Sequence, residues 1–414
     1  MRILYVAMAN SIHLARFLRQ VDHLGWDLHL FNSTPEWGPA HPALCNVTLH
    51  GCRYWPLPEV HESVRVSGFW PFRQRGTSVA RILTQRFLKP KVLVARKLGS
   101  LIKKLRPDVI HTHEIQHSGY LMMDALKYFD GKLPPWIVTN WGSDVYFFGQ
   151  LKEHEPQIRA VLATCDYYTC ETERDLGLAV PYGFTGDFLL PLMPNPGGFR
   201  FEEIDLLRSS VPASRRRIIL LKGYQGMFGR ALTALYAFDL CKDLLRGYKI
   251  IIYSAGPDLA AAAEILARSA NLDIELQPHT NDYENMLRLR GQARISIGLS
   301  VSDAASISFL EALAMGSFPI QSDRGGAHEW IRDGEGGFIV HPEDPHILAA
   351  ALRRALTEDD LVDRAVELNY RVARERMDFY KLRKHVVRWY QRVANGKSGV
   401  RLGPQSESPG SQAA

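Results

Sequence analysis

Asp303 and Glu311 are two carboxylates separated by seven residues, and they flank the start of a helix-like run. Upstream, residues 294–299 (Arg294-Ile295-Ser296-Ile297-Gly298-Leu299) read as a strand. Ser306 is a suitable N-cap. Phe309, Leu310, Leu313 and Ala314 recur with the helical period, and Gly316 supplies a stop. A helix that begins just past a strand's carboxyl end offers unbonded N–H groups and a positive dipole end, which suit a phosphate. Carboxylates beside a phosphate would repel it, so they are better suited to accept hydrogen bonds from neutral hydroxyls, as sugars carry. A phosphate next to two hydroxyl-accepting carboxylates suggests a nucleotide-sugar site. A plainer reading stands beside this one, in which an acid near a helix N-terminus only complements the dipole. Glu311 fits the plainer reading less well. Its neighbours are almost all apolar, and a carboxylate is costly to bury without a partner.

The elements that must position these groups come from a chain of 414 residues, enough for two domains. A hydrophobic fraction of 46% supplies a sizeable core. No apolar run reaches the length of a bilayer span, and residues 1–7 turn polar too soon for a signal peptide. Cys45, Cys52, Cys165, Cys170 and Cys241 show no metal-ligand spacing and read as reduced thiols of a cytoplasmic protein. The net charge of +6 is unevenly spread. Between Arg65 and Arg106 stand twelve Arg and Lys and no Asp or Glu, interleaved with apolar residues such as Phe69, Trp70, Leu98 and Ile102. Such a basic amphipathic stretch suits an anionic membrane surface, a solvated domain face or a polyanion. No nucleic-acid module accompanies it, so nucleic acid is not the expected partner.

The first half alternates strand and helix. A strand over 3–7, a helix over 11–24, a stop at Gly25 and a strand over 27–31 imply a parallel sheet. The first strand–helix turn, Met8-Ala9-Asn10-Ser11, has no glycine, which excludes the dinucleotide fingerprint there. A long basic helix broken near Pro90 is expected, then a strand over 108–113, a helix over 118–129 and a strand over 136–139. The Pro/Gly-rich segment 191–198 reads as a linker. The alternation then restarts, with strands near 217–221, 249–253, 272–276, 293–299, 318–321 and 337–340, and helices near 346–356 and 379–394. The predicted fold class is therefore α/β, two Rossmann-like parallel-sheet domains facing each other across a cleft. They are placed at 1–194 and 195–375. A helix over 376–395 is expected to return to the first domain, with a disordered tail over 396–414.

Residues 303–347 resemble the retaining glycosyltransferases of the GT-B fold, family GT4 (glycosyl transferases group 1). The resemblance rests on Asp303-x7-Glu311, residues 312–320 (Ala-Leu-Ala-Met-Gly-Ser-Phe-Pro-Ile), Asp323-Arg324-Gly325-Gly326-Ala327-His328-Glu329, Asp333-Gly334-Glu335-Gly336-Gly337-Phe338 and Pro342-Glu343-Asp344-Pro345, in that order. The departure is Asp303 where the family has glutamate, one methylene shorter with the acceptor role kept. Lys222-Gly223 followed by Gly229-Arg230 looks like the family's basic pair. Residues 108–113 look like its strand that ends in a histidine, and Ser254-Ala255-Gly256-Pro257 like its glycine turn.

The resemblance implies a metal-independent transferase with no cofactor and a UDP- or GDP-sugar as co-substrate. Glu311 would accept ribose hydroxyls and Asp303 hydroxyls of the transferring sugar. Amides around Ile307, Ser308, Phe309 and Leu310 would hold the distal phosphate, with Lys222 and Arg230 stabilising the leaving diphosphate and Gly223 beside them. His113 would bond the donor sugar; the plainer reading makes it a buried, satisfied histidine. His279 and Thr280 would flank the base. Residues 142–144 form a turn that contacts the acceptor or serves only as a turn. His111, His113 and His117 do not match a helix-face metal pair, and the chain has no Asp-x-Asp pair. The expected acceptor is lipid-linked or a saccharide, in cell-surface polysaccharide or glycolipid synthesis, with the enzyme cytoplasmic and peripheral on the membrane. Two rivals stay open. One is an epimerase or phosphorylase on the same frame. The other is a non-catalytic lipid- or polyanion-binding protein with a vestigial nucleotide site.

Overall fold

The structure, a computed structural model, describes residues 1–34, 37–52, 58–69, 90–194, 197–278 and 282–396. The expectations for His279, Thr280, the basic residues at 73–89 and the tail beyond 396 lie outside the described residues, as do positions 195 and 196 of the linker. The chain divides into two compact units, Met1–Gly197 with Lys381–Ala414, and Gly198–Tyr380.

Unit 1 is built on an eight-stranded parallel sheet. In chain order its strands are β1 (Arg2–Ala7), β2 (Asp27–Asn32), β3 (Thr48–His50), β4 (Arg65–Ser67), β5 (Val109–His113), β6 (Trp136–Thr139), β7 (Tyr167–Thr169) and β8 (Asp187–Phe188). They lie side by side as β4-β3-β2-β1-β5-β6-β7-β8. β1 is central because its apolar run satisfies both faces of a covered sheet. Ile3, Tyr5 and Ala7 enter one core with Leu14, Phe17 and Leu18 of α1 (Ile12–Leu18). Leu4 and Val6 enter another, with Leu98 and Ile102 of α2 (Pro90–Leu105). Pro90 opens α2, where its missing N–H costs nothing. The helix expected over 118–129 is shorter, α3 (Tyr120–Leu126), because residues Ile115–Gly119 wind as a π-helix first. Then follow α4 (Glu155–Thr164) and α5 (Glu173–Ala179).

Unit 2 has six parallel strands, β9 (Ile218–Lys222), β10 (Lys249–Tyr253), β11 (Asp273–Gln277), β12 (Ala293–Gly298), β13 (Phe318–Ser322) and β14 (Phe338–Val340). Their order is β11-β10-β9-β12-β13-β14. This is the predicted two-sheet α/β architecture, with every strand of the second half within a residue or two of its expected place. The helices of unit 2 are α6 (Phe201–Leu207), α7 (Ala231–Leu240), α8 (Pro257–Ala270), α9 (Tyr283–Gln292), α10 (Ile307–Met315), α11 (Pro345–Thr357) and α12 (Asp359–Arg376). One core gathers Ile219, Leu221, Ile250, Ile252, Ile295 and Ile297 with α7 and α11. On the opposite side α10 buries Phe309, Leu310, Leu313 and Ala314 beside Leu287 of α9. α13 (Phe379–Ala394) starts at the end of unit 2 and continues into unit 1, where Leu382, Val386, Trp389, Tyr390 and Val393 join the β1 core.

Candidate functional site

The carboxyl edge of the unit 2 sheet is stitched together by backbone. Gly223, straight after β9, donates its N–H to the Tyr253 carbonyl at 2.8 Å. A Cβ at Gly223 would lie 2.9 Å from that same carbonyl oxygen, so only glycine permits this approach. Residues 225–230 fold back as a small hairpin through a Gln225–Arg230 bridge. The hairpin is tied to the chain after β12, with Arg230 N donating to the Leu299 carbonyl (3.1 Å) and Val301 N to the Phe228 carbonyl (2.8 Å). These ties bring Lys222 to Asp303. Lys222 Nζ lies 3.8 Å from Asp303 Oδ2 and 4.5 Å from the centre of the Tyr224 ring. Asp303 Oδ1 is held by the Ala304 amide at 2.9 Å, and the Ala304 carbonyl accepts from Gly326 at 3.0 Å. The Gly325-Gly326 turn therefore braces the approach to α10.

Ser306 caps α10 as predicted. Its hydroxyl accepts from the Phe309 amide, and Gly316 closes the helix at φ 79°. The cap corrects the list of phosphate donors. The Phe309 and Leu310 amides both donate to the Ser306 carbonyl at 3.0 Å, so they are used within the helix. Among the described residues the amides of Ile307 and Ser308 have no partner, as the opening positions of a helix leave them. The Gly223 amide is likewise used internally, so its place in the site is steric.

Two other expectations change. Glu311 is buried, and its Oε2 accepts from Arg290 Nε of α9 at 2.8 Å. Arg290 is equally buried, with its guanidinium 4.9 Å from the centre of the Tyr253 ring. Burial opposes its charge, but the Tyr253 hydroxyl and the Glu311 carboxylate outweigh it, and its pKa rises. Sequence reasoning missed Arg290. The signal was Glu311 itself, a carboxylate among apolar residues that required a counter-charge. Arg230 is committed to structure: Nε donates to Glu343 at 2.7 Å and Nη1 to the Gly226 and Gly229 carbonyls. Lys222 is the cation adjoining Asp303; Arg230 holds the hairpin.

In unit 1, His113 ends β5 fully buried, edge-on to Phe17 at 4.6 Å and tilted on His111 at 4.3 Å. Burial, then the neighbouring His13, pushes its pKa down to about 3, so the ring is neutral. Its Nε2 has no hydrogen-bond partner among the described residues. The hydrogen bond expected from His113 to a donor sugar would have to come from this unpartnered nitrogen. His111 is the satisfied histidine of the pair, bonded to Tyr390 Oη and Thr139 Oγ1 at 2.6 Å each. His117 turns instead to Glu114 Oε2 at 3.1 Å. Glu114, at φ 66°, caps the π-helix through the His117 and Ser118 amides. Asp144 accepts from Ile115 N (2.9 Å) and Trp141 N (2.8 Å), so the 142–144 turn is a fastening between β5 and β6. Burial, then the nearby Glu114 charge, raises the Asp144 pKa.

Residues 232–372 match the family model of glycosyl transferases group 1, and residues 72–172 that of glycosyl transferase 4-like proteins. No curated protein matches the chain. Among solved structures, sucrose-phosphate synthase from Thermosynechococcus elongatus aligns with a TM-score of 0.69 at 15% identity, covering 96% of this chain and 100% of that one. A glycosyltransferase from Rickettsia africae ESF-5 aligns at 0.64 and 16% identity, covering 95% and 98%. HepE of Anabaena, solved in complex with UDP-glucose, aligns at 0.62 and 11% identity, covering 94% and 99%. The fold is that of the GT-B glycosyltransferases. The stretch 232–372 that matches the group 1 model contains Asp303, Glu311 and Arg290.

Proposed function

We propose that this protein transfers a sugar from a nucleotide-sugar donor to an acceptor hydroxyl with retention of anomeric configuration and without a metal. The observation that carries the reading is the grouping of Lys222, Asp303 and the open Ile307 and Ser308 amides at the start of α10. The donor's distal phosphate accepts from those amides, and Lys222 neutralises the charge that grows as the diphosphate leaves. Asp303 accepts from hydroxyls of the transferring sugar, and Glu311 from the ribose. The sugar–phosphate bond breaks with oxocarbenium character. The acceptor oxygen then attacks from the face being vacated, and its proton passes to the departing phosphate oxygen. UDP-glucose, present in the HepE complex, is the first donor to try. A lipid-linked or surface-saccharide acceptor is favoured by the exposed Lys91, Arg96, Lys103 and Lys104 of α2. These suit an anionic membrane surface on the cytoplasmic side. No helix among the described residues is long and apolar enough to cross a membrane.

The test is a thermal-shift series with UDP-, GDP-, ADP- and dTDP-sugars in EDTA, on wild type and Lys222→Ala. A donor at a hundred times its dissociation constant adds about 2.7 kcal/mol to the native state. One donor class should raise the melting temperature of wild type and much less that of Lys222→Ala, whose unliganded stability should match wild type. NMR of the transfer product then reads the anomer. No shift with any donor would refute the reading. Glu311 is a poor site for this probe, because removing it strands a buried Arg290.

A further inference from the structure

In unit 1, α2 and the end of α3 come together at Gly99, where a Cβ would lie 2.9 Å from the Ala125 carbonyl oxygen and 3.2 Å from that of Tyr128. One turn further along α2 the chains part. Residues 129–135 hold no helix and carry Gly131, Pro134 and Pro135. A crevice of about 440 Å³ opens there, within the size range of small-ligand sites. Its apolar lining comes from Ile102, Pro107, Phe129, Leu133 and Pro134. Its charged lining is Lys103, Arg106 and Lys132. Lys103 pairs with Asp130 at 3.0 Å. Among the described residues Arg106 and Lys132 have no carboxylate partner.

Arg106 stands there against the local backbone preference. It closes α2 with its N–H on the Ile102 carbonyl at 2.9 Å, at φ 49°. Glycine is the usual residue at such a stop, because a Cβ is disfavoured in the left-handed region. The chain carries a guanidinium beside the crevice instead. The crevice also lies away from the chemistry. Pro107 and Pro135 sit at the amino ends of β5 and β6, and His113 ends β5 about 13 Å further along the strand.

The chemistry of an occupant follows from this lining. A free anion would satisfy Arg106 and Lys132 and leave the apolar wall wet. A neutral apolar molecule would cover the wall and give the cations nothing. An anionic amphiphile does both. Lys103 belongs both to the crevice and to the exposed cationic face of α2, so the two are continuous. We propose that the crevice holds one anionic phospholipid of a membrane surface, with an acyl chain on the apolar wall and the headgroup phosphate on Arg106 and Lys132. Such a site rests on the membrane reading above, and it turns a diffuse attraction into one-to-one binding at the sheet edge opposite His113.

Titration calorimetry with monomeric dihexanoyl phosphatidylserine tests it, on wild type, Arg106→Gly and the double variant Arg106→Gly/Lys132→Ala. Glycerophosphoserine, the headgroup alone, and dihexanoyl phosphatidylcholine serve as comparisons. Wild type should bind phosphatidylserine one to one, and each comparison ligand at least about tenfold more weakly. Glycine suits φ 49°, so Arg106→Gly should melt close to wild type. Loss of both cations should weaken phosphatidylserine binding about thirtyfold. Equal binding of glycerophosphoserine would reveal a plain anion site, and equal binding of phosphatidylcholine an apolar one. Undiminished binding by the double variant would put the lipid elsewhere. Each of these overturns the proposal. Flotation with phosphatidylserine vesicles is measured alongside. Wild type that floats but binds no short-chain lipid overturns the crevice and leaves the membrane reading standing; wild type that does neither overturns both.

Discussion

At the scale of single residues, the buried histidines of unit 1 make stability depend on pH. Burial first, then the neighbouring His29, Lys97 and Lys104, lowers His50 to about 4; burial, then His13, lowers His113 to about 3; and burial holds His111 well below its ordinary value. In the unfolded chain each would titrate near 6.5. Between pH 6.5 and about 4 the unfolded state binds protons that the native state refuses, so the free energy of unfolding falls as pH falls. The stability is fully present above pH ~6.5 and is lost on acidification. Urea midpoints at pH 7.5 and pH 5 measure it. His113→Leu removes one proton acceptor and an unsatisfied buried nitrogen. It should leave the midpoint at pH 7.5 within ~1 kcal/mol of wild type and lessen the drop at pH 5. An unchanged pH slope would show that His113 is protonated in the native state.

At the scale of elements, α2 presents its apolar side to the core and its cations outward. Leu98 and Ile102 are buried, whereas Lys91, Arg96 and Lys104 are exposed. Exchanging those three for glutamate leaves the packed side alone, so the fold should survive. Each Lys or Arg near an anionic surface is worth about 1 kcal/mol, and the triple reversal should abolish co-flotation with phosphatidylserine-containing vesicles. Equal flotation of variant and wild type would remove the membrane reading. The elements were legible where periodicity is strong: every strand of unit 2 and the capped ends of α10 could be placed from sequence. α12 was not foreseen, although Val362, Ala365, Val366, Asn369 and Ala373 repeat at helical spacing. Half of its residues are charged, which masks a narrow buried stripe. The candidate site was readable as residue types and less so as roles. Asp303 and Lys222 stand together, but Arg290, Arg230 and His113 owe their surroundings to partners 21, 113 and about 100 residues away, and local patterning does not carry such distances.

At the scale of the whole molecule, the chain leaves unit 1 after Gly197 and re-enters it at Lys381. α13 then supplies Val386, Tyr390 and Val393 to the β1 core, and Tyr390 completes the hydrogen bonding of the buried His111. A chain ending at residue 380 should therefore keep the unit 2 sheet while unit 1 loses cooperative packing. Amide hydrogen exchange would show β10 and β12 still protected and β1 and β5 opened. Equal protection of β1 in the truncated and full chains would contradict this. The same thread sets an order of events during synthesis. Unit 1 leaves the ribosome before unit 2, but it lacks one wall of its core until α13 emerges. Unit 2, whose sequence is unbroken, can close first. Of the two units, the one translated earlier is thus the one whose core is completed later.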